Sequence, residues 1–204
     1  MVQNNSVKTR GRPKAYDRGV ALKSLRELFW ENGFSGTSLD DMSAATAMNR
    51  PSLYNAFGDK AETFRSVLDD YIAEVRGIYI EAFTADLPLR EGLMRVYEAT
   101  LQIYNREDGI GRGCFMSGAA LTDSIRDRAI AAKILEALHE MDKAFRWRMR
   151  IAQERGELSP NADTQALAMV ASTTHNALSM RIRAGESLED IRKLISQTVG
   201  VICG

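Results

Sequence analysis

Apolar residues in this chain recur three or four positions apart almost from end to end, and segments that alternate with a period of two are nearly absent. That spacing gathers the apolar side chains on one stripe of a helix. A stripe has to be buried against another helix, so the sequence predicts an all-α fold. Leu22, Leu25, Leu28 and Phe29 mark a first helix from about Asp17 to Asn32, with Asp17 placed to cap it and Gly33 to end it. Ser38 followed by Asp41 has the form of an N-cap with an acidic third residue, opening a short helix that stops near Ala47. A second short helix opens on Asn49, tolerates Pro51 in its first turn because that nitrogen has no helical partner, and stops at Gly58. Asp59 with Glu62 then opens a long helix through about Phe83, striped by Phe64, Val67, Leu68, Tyr71, Ile72, Val75 and Tyr79.

After a break at Asp86 to Leu89, further helices are marked by Leu93, Val96, Tyr97, Leu101 and Tyr104, and by Ile130, Ile134, Leu138, Met141, Phe145 and Met149. Two more are marked by Leu167, Val170, Thr174, Leu178 and Ile182, and by Leu188, Ile191, Leu194, Ile195 and Val199. Gly109, Gly111 and Gly113 interrupt the series before a short apolar segment, Cys114 to Leu121. By segment, 1–15 is expected to be a flexible basic arm, 16–62 a small helical domain and 63–204 a larger one, the junction falling inside the long helix near Ile72.

Composition narrows the function classes. The 204 residues carry 45% apolar and 26% charged residues, the balance of a folded soluble protein. No apolar run approaches the length of a membrane span, and the polar, basic start lacks the core of a signal peptide, so a cytoplasmic protein without membrane contact is expected. Two cysteines, Cys114 and Cys203, make no disulfide framework, and no Cys or His spacing fits a zinc site. Formal net charge is zero, yet Lys8, Arg10, Arg12, Lys14, Arg18, Lys23 and Arg26 are opposed up to that point only by Asp17. One end is therefore cationic and the remainder acidic in balance, which orients the molecule towards a polyanion.

Two helices of about eight residues, separated by a three-residue turn and braced by a longer helix, form the arrangement that lays its second helix in a DNA major groove. Leu39, Met42, Leu53 and Phe57 are spaced to face the first helix, which leaves Arg50, Ser52, Tyr54 and Asn55 outward. Arg50 suits a guanine edge, Asn55 adenine and Ser52 either, whereas Thr37, Ser38, Tyr54 and Lys60 suit phosphate. Asn49, as N-cap, aims the positive end of the helix at the backbone. The bland alternative is a solvated helix face. Ahead of the first helix, Arg10-Gly11-Arg12-Pro13-Lys14 is similar to an AT-hook core, which slips guanidinium groups into a narrow minor groove; its alternative is a basic tail that adds only nonspecific affinity.

The stretch from Thr37 to Lys60, TSLDDMSAATAMNRPSLYNAFGDK, resembles the DNA-binding signature of the TetR family of transcriptional repressors (TetR/AcrR type), in its hydroxyl pair, its Leu-Tyr, its Phe and its closing Lys. It departs from that pattern at Ala47 and Pro51, where the family usually has Gly, and at Ala56, where it usually has His. The resemblance implies an N-terminal three-helix helix-turn-helix domain joined by a long helix to a C-terminal ligand-binding and dimerisation domain. It further implies a homodimer on a palindromic operator in double-stranded DNA, an unidentified small-molecule effector and no cofactor. An activator or a ligand-independent regulator of the same fold is the near alternative, and a helical-bundle enzyme with a basic arm the distant one.

For the effector, Tyr97, Leu101, Tyr104, Cys114, Phe115, Met116 and Trp147 form an aromatic and methionine-rich set suited to lining a cavity, with plain packing as the alternative. Cys114 reads as a core thiol or as a redox sensor. Ala168, Ala171, Ser172, His175, Leu178, Ile182, Ile191 and Ile195 combine small and large residues on the last two helices, a pattern for close packing in a two-fold four-helix bundle or within one chain. Arg146, Arg148 and Arg150 around Trp147 read as a solvated face, with the holding of an anionic effector as the alternative. Glu136 and His139 have di-iron spacing but no second such pair, so no metal is expected; nor does any serine or histidine sit in a catalytic motif.

Overall fold

The computed structural model describes residues 17–105, 111–125 and 127–204; Arg10, Arg12, Lys14 and Gly109 lie outside them. Among the described residues the chain is helical, with no strand beyond one isolated bridge between Asn105 and Gly111. In order come α1 (Arg18–Gly36), α2 (Leu39–Thr46), α3 (Arg50–Phe57), α4 (Lys60–Thr84) and α5 (Leu89–Tyr104). A π-helical turn (Met116–Ala120) runs into the short α6 (Leu121–Ser124), followed by α7 (Arg128–Glu154), α8 (Thr164–Arg183) and α9 (Leu188–Cys203). None of these helices is long and apolar enough to cross a membrane.

The caps fall where the side-chain chemistry puts them. Asp17 accepts from the backbone N–H groups of Gly19 at 2.8 Å and Val20 at 3.2 Å. Ser38 with Asp41 and Asp59 with Glu62 close reciprocal capping boxes, and Asn49 accepts from the Ser52 N–H at 2.9 Å. Gly33, at φ 69°, breaks the helical path inside α1. Each of these satisfies or redirects backbone groups that a helix end leaves unpaired.

Packing against α1 and α4 fixes the small domain: Leu25, Phe29, Met42, Leu53, Phe57 and Phe64 are all buried. Phe29 meets Phe64 edge-on at 5.0 Å between ring centroids. The larger domain packs α4, α5, α7, α8 and α9 around Leu93, Val96, Tyr97, Phe145, Met149 and Leu178. α1 does not stop at its own domain. It also packs against the π-turn, where Trp30 touches Phe115 at 5.4 Å and Tyr71 at 5.3 Å.

Two expectations for the larger domain are corrected by burial. All eight residues proposed for a dimer face, Ala168, Ala171, Ser172, His175, Leu178, Ile182, Ile191 and Ile195, lie inside the single chain, none more than 4% exposed. They join α8 to α9 and to the helices beneath, as the small-against-large pattern also allows. Arg148 is not on a solvated face either. It is buried, donates to the Leu87 carbonyl at 2.6 Å and pins the break between α4 and α5 to α7. Burial holds its guanidinium below the usual value. Arg146, Trp147 and Arg150 are exposed.

Candidate nucleic-acid interface and internal cavity

α2 and α3 present a polar outer edge over an apolar underside. Met42, Leu53 and Phe57 point in with Leu39 packed beside them, while Arg50, Tyr54 and Asn55 are exposed and Ser52 is half-buried. The turn between them is made by Ala47 at φ 52°, a left-handed conformation that glycine adopts more readily. Arg50 is not free in solvent: Nη2 and Nε donate to one oxygen of Asp40 on α2 at 2.7 and 3.1 Å. That pair pre-aims the guanidinium and occupies part of its donor fork. Cations flank the helix, with the Arg18 guanidinium 5.3 Å from the Phe57 ring centre and the Lys60 ammonium 4.4 Å from that of Phe34.

The hydroxyl pair at the start of the motif behaves differently from the phosphate contacts expected of it. Thr37 is 2% exposed and its hydroxyl donates to the Gly33 carbonyl at 2.8 Å, so its side chain locks the α1 to α2 turn and is not available to a phosphate. Ser38 is exposed, but its hydroxyl donates to Asp41 at 2.6 Å, which also holds the Asp41 carboxyl below its ordinary range. The reason is local: a hydroxyl beside a helix start finds backbone and cap partners before it finds solvent.

A cavity of about 630 Å³ opens among α4, α7 and α8. Of the residues expected to line one, Tyr104, Cys114, Met116 and Trp147 do. Tyr97, Leu101 and Phe115 do not. Tyr97 and Leu101 are buried in the helix packing, Tyr97 donating to the Ala171 carbonyl at 3.0 Å, and Phe115 fills the junction against Trp30, Phe64 and Tyr71. Most of the wall comes instead from the inner stripes of α4 and α7, including Ile72, Val75, Phe83, Leu138, Met141 and Ala144, and from His175. Periodicity had marked many of these as core; the polar members Tyr71, Tyr79 and His175 within apolar stripes were the available signal that the core is hollow.

Those polar members form a connected network. The Tyr79 hydroxyl lies 2.7 Å from His175 Nε2 and 3.1 Å from the Thr100 hydroxyl, which itself donates to the Val96 carbonyl at 2.9 Å. Since each hydroxyl carries one proton, the consistent arrangement is His175 Nε2–H to Tyr79, Tyr79 to Thr100, and Thr100 to the backbone. Burial pushes the His175 pKa down to about 4, so the ring is neutral. The Tyr71 hydroxyl donates to the Cys114 thiol at 3.4 Å, and burial raises the pKa of both Tyr71 and Tyr79. At the rim Arg76 and Glu140 pair through contacts of 2.8 to 3.0 Å.

Gly113 explains how the loop before the π-turn approaches α8 so closely. It sits at φ 67°, and a Cβ there would lie 2.6 Å from the Ser179 carbonyl oxygen. Arg112 beside it stacks its guanidinium 3.7 Å from the Trp30 ring centre and donates to Glu27 at 2.6 Å. Residues 112–115 therefore touch α1 on one side and the cavity on the other. Among the described residues no cluster of side chains suited to hold a metal ion occurs.

Family models match both halves of the chain: residues 21–67 match the bacterial regulatory proteins of the tetR family, and residues 90–198 the tetracyclin repressor-like C-terminal domain. The chain belongs to the TetR family. Among curated members it is 32% identical to the HTH-type transcriptional repressor ComR of Escherichia coli (strain K12), over 94% of this chain and 91% of that protein. To the repressor BdcR of the same organism it is 26% identical, over 94% and 91%. A solved TetR-family structure, the regulator CifR as a cysteine mutant complexed with 26-bp double-strand operator DNA, matches with a TM-score of 0.79 and 27% identity, over 93% of this chain and 98% of that one. This TetR-family chain is thus a transcriptional regulator and not an enzyme.

Proposed function

We propose that this chain is a ligand-responsive repressor that binds a palindromic operator as a homodimer in the cytoplasm, and releases it when a small molecule occupies the cavity. The observation that carries the DNA-binding part is the outer edge of α3. Arg50, Tyr54 and Asn55 are exposed on a short helix whose underside is buried and whose start is capped by Asn49. In the proposed complex Arg50 reads guanine, Asn55 and Ser52 read neighbouring bases, and Tyr54 and Lys60 grip phosphate. Arg10, Arg12 and Lys14 of the arm reach the flanking minor groove.

For the homodimer we propose a face made by the outer sides of α8 and α9. Met169 and Met180 are 64% and 72% exposed and about three turns apart on α8, with Thr173 exposed between them, and Val201 on α9 is 75% exposed. Large apolar side chains left in water on neighbouring helices support an interface there. For release we propose that an occupant presses on Tyr71 and Cys114, which share the cavity wall, and moves Phe115 against Trp30. α1 would then turn and carry α2 and α3 with it. A rotation that spoils half-site spacing removes the margin of about 4–10 kcal/mol by which specific binding exceeds nonspecific binding.

The test is a gel shift with a palindrome selected from random duplexes. The double variant Arg50→Ala with Tyr54→Ala should lose that duplex while keeping its fold by circular dichroism. Retention of full affinity by the double variant overturns the assignment of α3 as the recognition helix.

A further inference from the structure

Which chemical class of molecule occupies the cavity follows from what lines it. Apolar and aromatic side chains make nearly all of the wall, from Tyr71, Val75 and Phe83 on α4 to Leu138, Met141 and Trp147 on α7. Among the described residues on that wall, only Arg76 and Glu140 carry formal charge, and they are bonded to each other across the rim. An ionised ligand group would have to enter a low-dielectric space with no free counter-charge, or break the rim pair and leave one of its members unpaired; both are costly. The serines on the wall do not relieve this. Ser179 accepts from the Cys114 N–H at 2.7 Å and bonds Ser117 at 2.6 Å, so both hydroxyls already have partners.

Polar capacity remains at one end. With the Nε2 proton of His175 given to Tyr79, Nδ1 is an acceptor 3.3 Å from the Asn176 Oδ1, itself an acceptor, so the two share no hydrogen bond and both are open to a donor. Asn176 is exposed and lines the cavity, and its amide offers both a carbonyl oxygen and N–H donors. A neutral imidazole and an amide together accept from or donate to an uncharged polar group without a change of charge. Because burial keeps His175 neutral, the imidazole supplies no cation to attract a carboxylate.

We propose that the cavity takes an uncharged, largely apolar molecule of one or two rings' size, with a single hydroxyl or carbonyl group bonded at the His175 and Asn176 end, and that it rejects carboxylates. The volume of about 630 Å³ is ample for such a molecule and falls within the usual range for small-molecule sites. This rests on the reading of the cavity as an effector site, but it can fail independently of that reading.

The experiment uses the full-length protein at pH 7 and three probes matched in size, 2-naphthol, 2-naphthoate and 2-naphthylmethylammonium, with naphthalene as the reference that lacks a polar group. Binding is read by thermal shift and by tryptophan emission, since Trp147 is on the cavity wall. 2-Naphthol should raise Tm and bind about tenfold or more tighter than either ion. Ala144→Phe, which fills the cavity from its wall, should abolish the naphthol response. Asn176→Ala, at an exposed position that leaves the Tyr79 network intact, should weaken naphthol but not naphthalene. Equal or tighter binding of 2-naphthoate overturns the ligand class while leaving an effector site in place. No response to any probe overturns both. Naphthol binding that leaves operator affinity unchanged supports the class but counts against ligand-gated release.

Discussion

Removing the Arg50 side chain separates a base contact from a phosphate contact, and the structure sets the size of each effect. Arg50 and Asp40 are 56% and 76% exposed at their side chains, so their ion pair contributes no more than about 1 kcal/mol to folding. Arg50→Ala should therefore leave the urea midpoint almost unchanged. A bidentate arginine contact to guanine is worth about 1–3 kcal/mol of discrimination, and a two-fold dimer loses it twice. The expected loss on a palindromic operator is about 2–6 kcal/mol, or roughly 30-fold to 10⁴-fold in Kd. Because no phosphate contact is removed, the slope of log K against log salt should stay the same, whereas each lost phosphate contact lowers it by about 0.9. Fluorescence anisotropy on the operator and on a scrambled duplex at several salt concentrations reads all of these. Equal losses on the two duplexes, with a reduced slope, would show that Arg50 grips the backbone. Asp40→Ala provides the control, since it removes the brace but not the contact; a loss as large as that of Arg50→Ala would mean that the ion pair, not the base contact, sets the affinity.

Ala47→Gly should stabilise the protein. The left-handed turn costs a residue with a Cβ about 1–2 kcal/mol, of which glycine's extra freedom when unfolded takes back about 0.5–1. The net gain of about 0.5–1 kcal/mol should raise Tm by about 1–4 °C, and a fall in Tm would refute it. His175, with its pKa lowered to about 4 by burial, contributes stability that is fully present above pH 6.5 and is lost as pH falls towards 4, because the unfolded chain takes the proton first. Urea unfolding should show a loss of about 2 kcal/mol from this group between pH 7 and pH 5, absent in His175→Asn. Met169→Asp with Met180→Asp, at exposed positions, should yield folded monomers by light scattering with weakened operator binding. An unchanged dimer would place the interface elsewhere.

Local chemistry made the N-terminal half legible. Asp17, Ser38, Asn49 and Asp59 are caps by side-chain type, and each governs a few neighbouring backbone atoms, so spacing alone located their helices. The outward set Arg50, Tyr54 and Asn55 followed from the inward set Met42, Leu53 and Phe57, because two faces of one helix are complementary. Thr37 was misread for the same reason that the caps were readable. Its residue type suits phosphate and a local carbonyl equally, and although Gly33 marks the break in α1, nothing in its residue type says that its carbonyl takes the Thr37 hydroxyl at 2.8 Å.

The larger domain shows where periodicity stops being informative. A stripe records that side chains are buried, but not whether they face a neighbouring helix, a second chain or empty space. Leu178, Ile182 and Ile191 face neighbouring helices, Met169 and Met180 face outward, and Tyr71 and Tyr79 face a void. Only polarity separates the three cases before a structure is known. A hydroxyl or imidazole inside an apolar stripe needs a partner, and in a solid core one partner network suffices; around a cavity, capacity is left over, as at His175 and Asn176. Tyr71 and Cys114 line the same cavity as these groups, and both adjoin the contact of Phe115 with Trp30. So residues that line the cavity are also those that tie it to α1, and in the proposed mechanism a ligand that completes their hydrogen bonding would act on the DNA-binding domain without having to touch it.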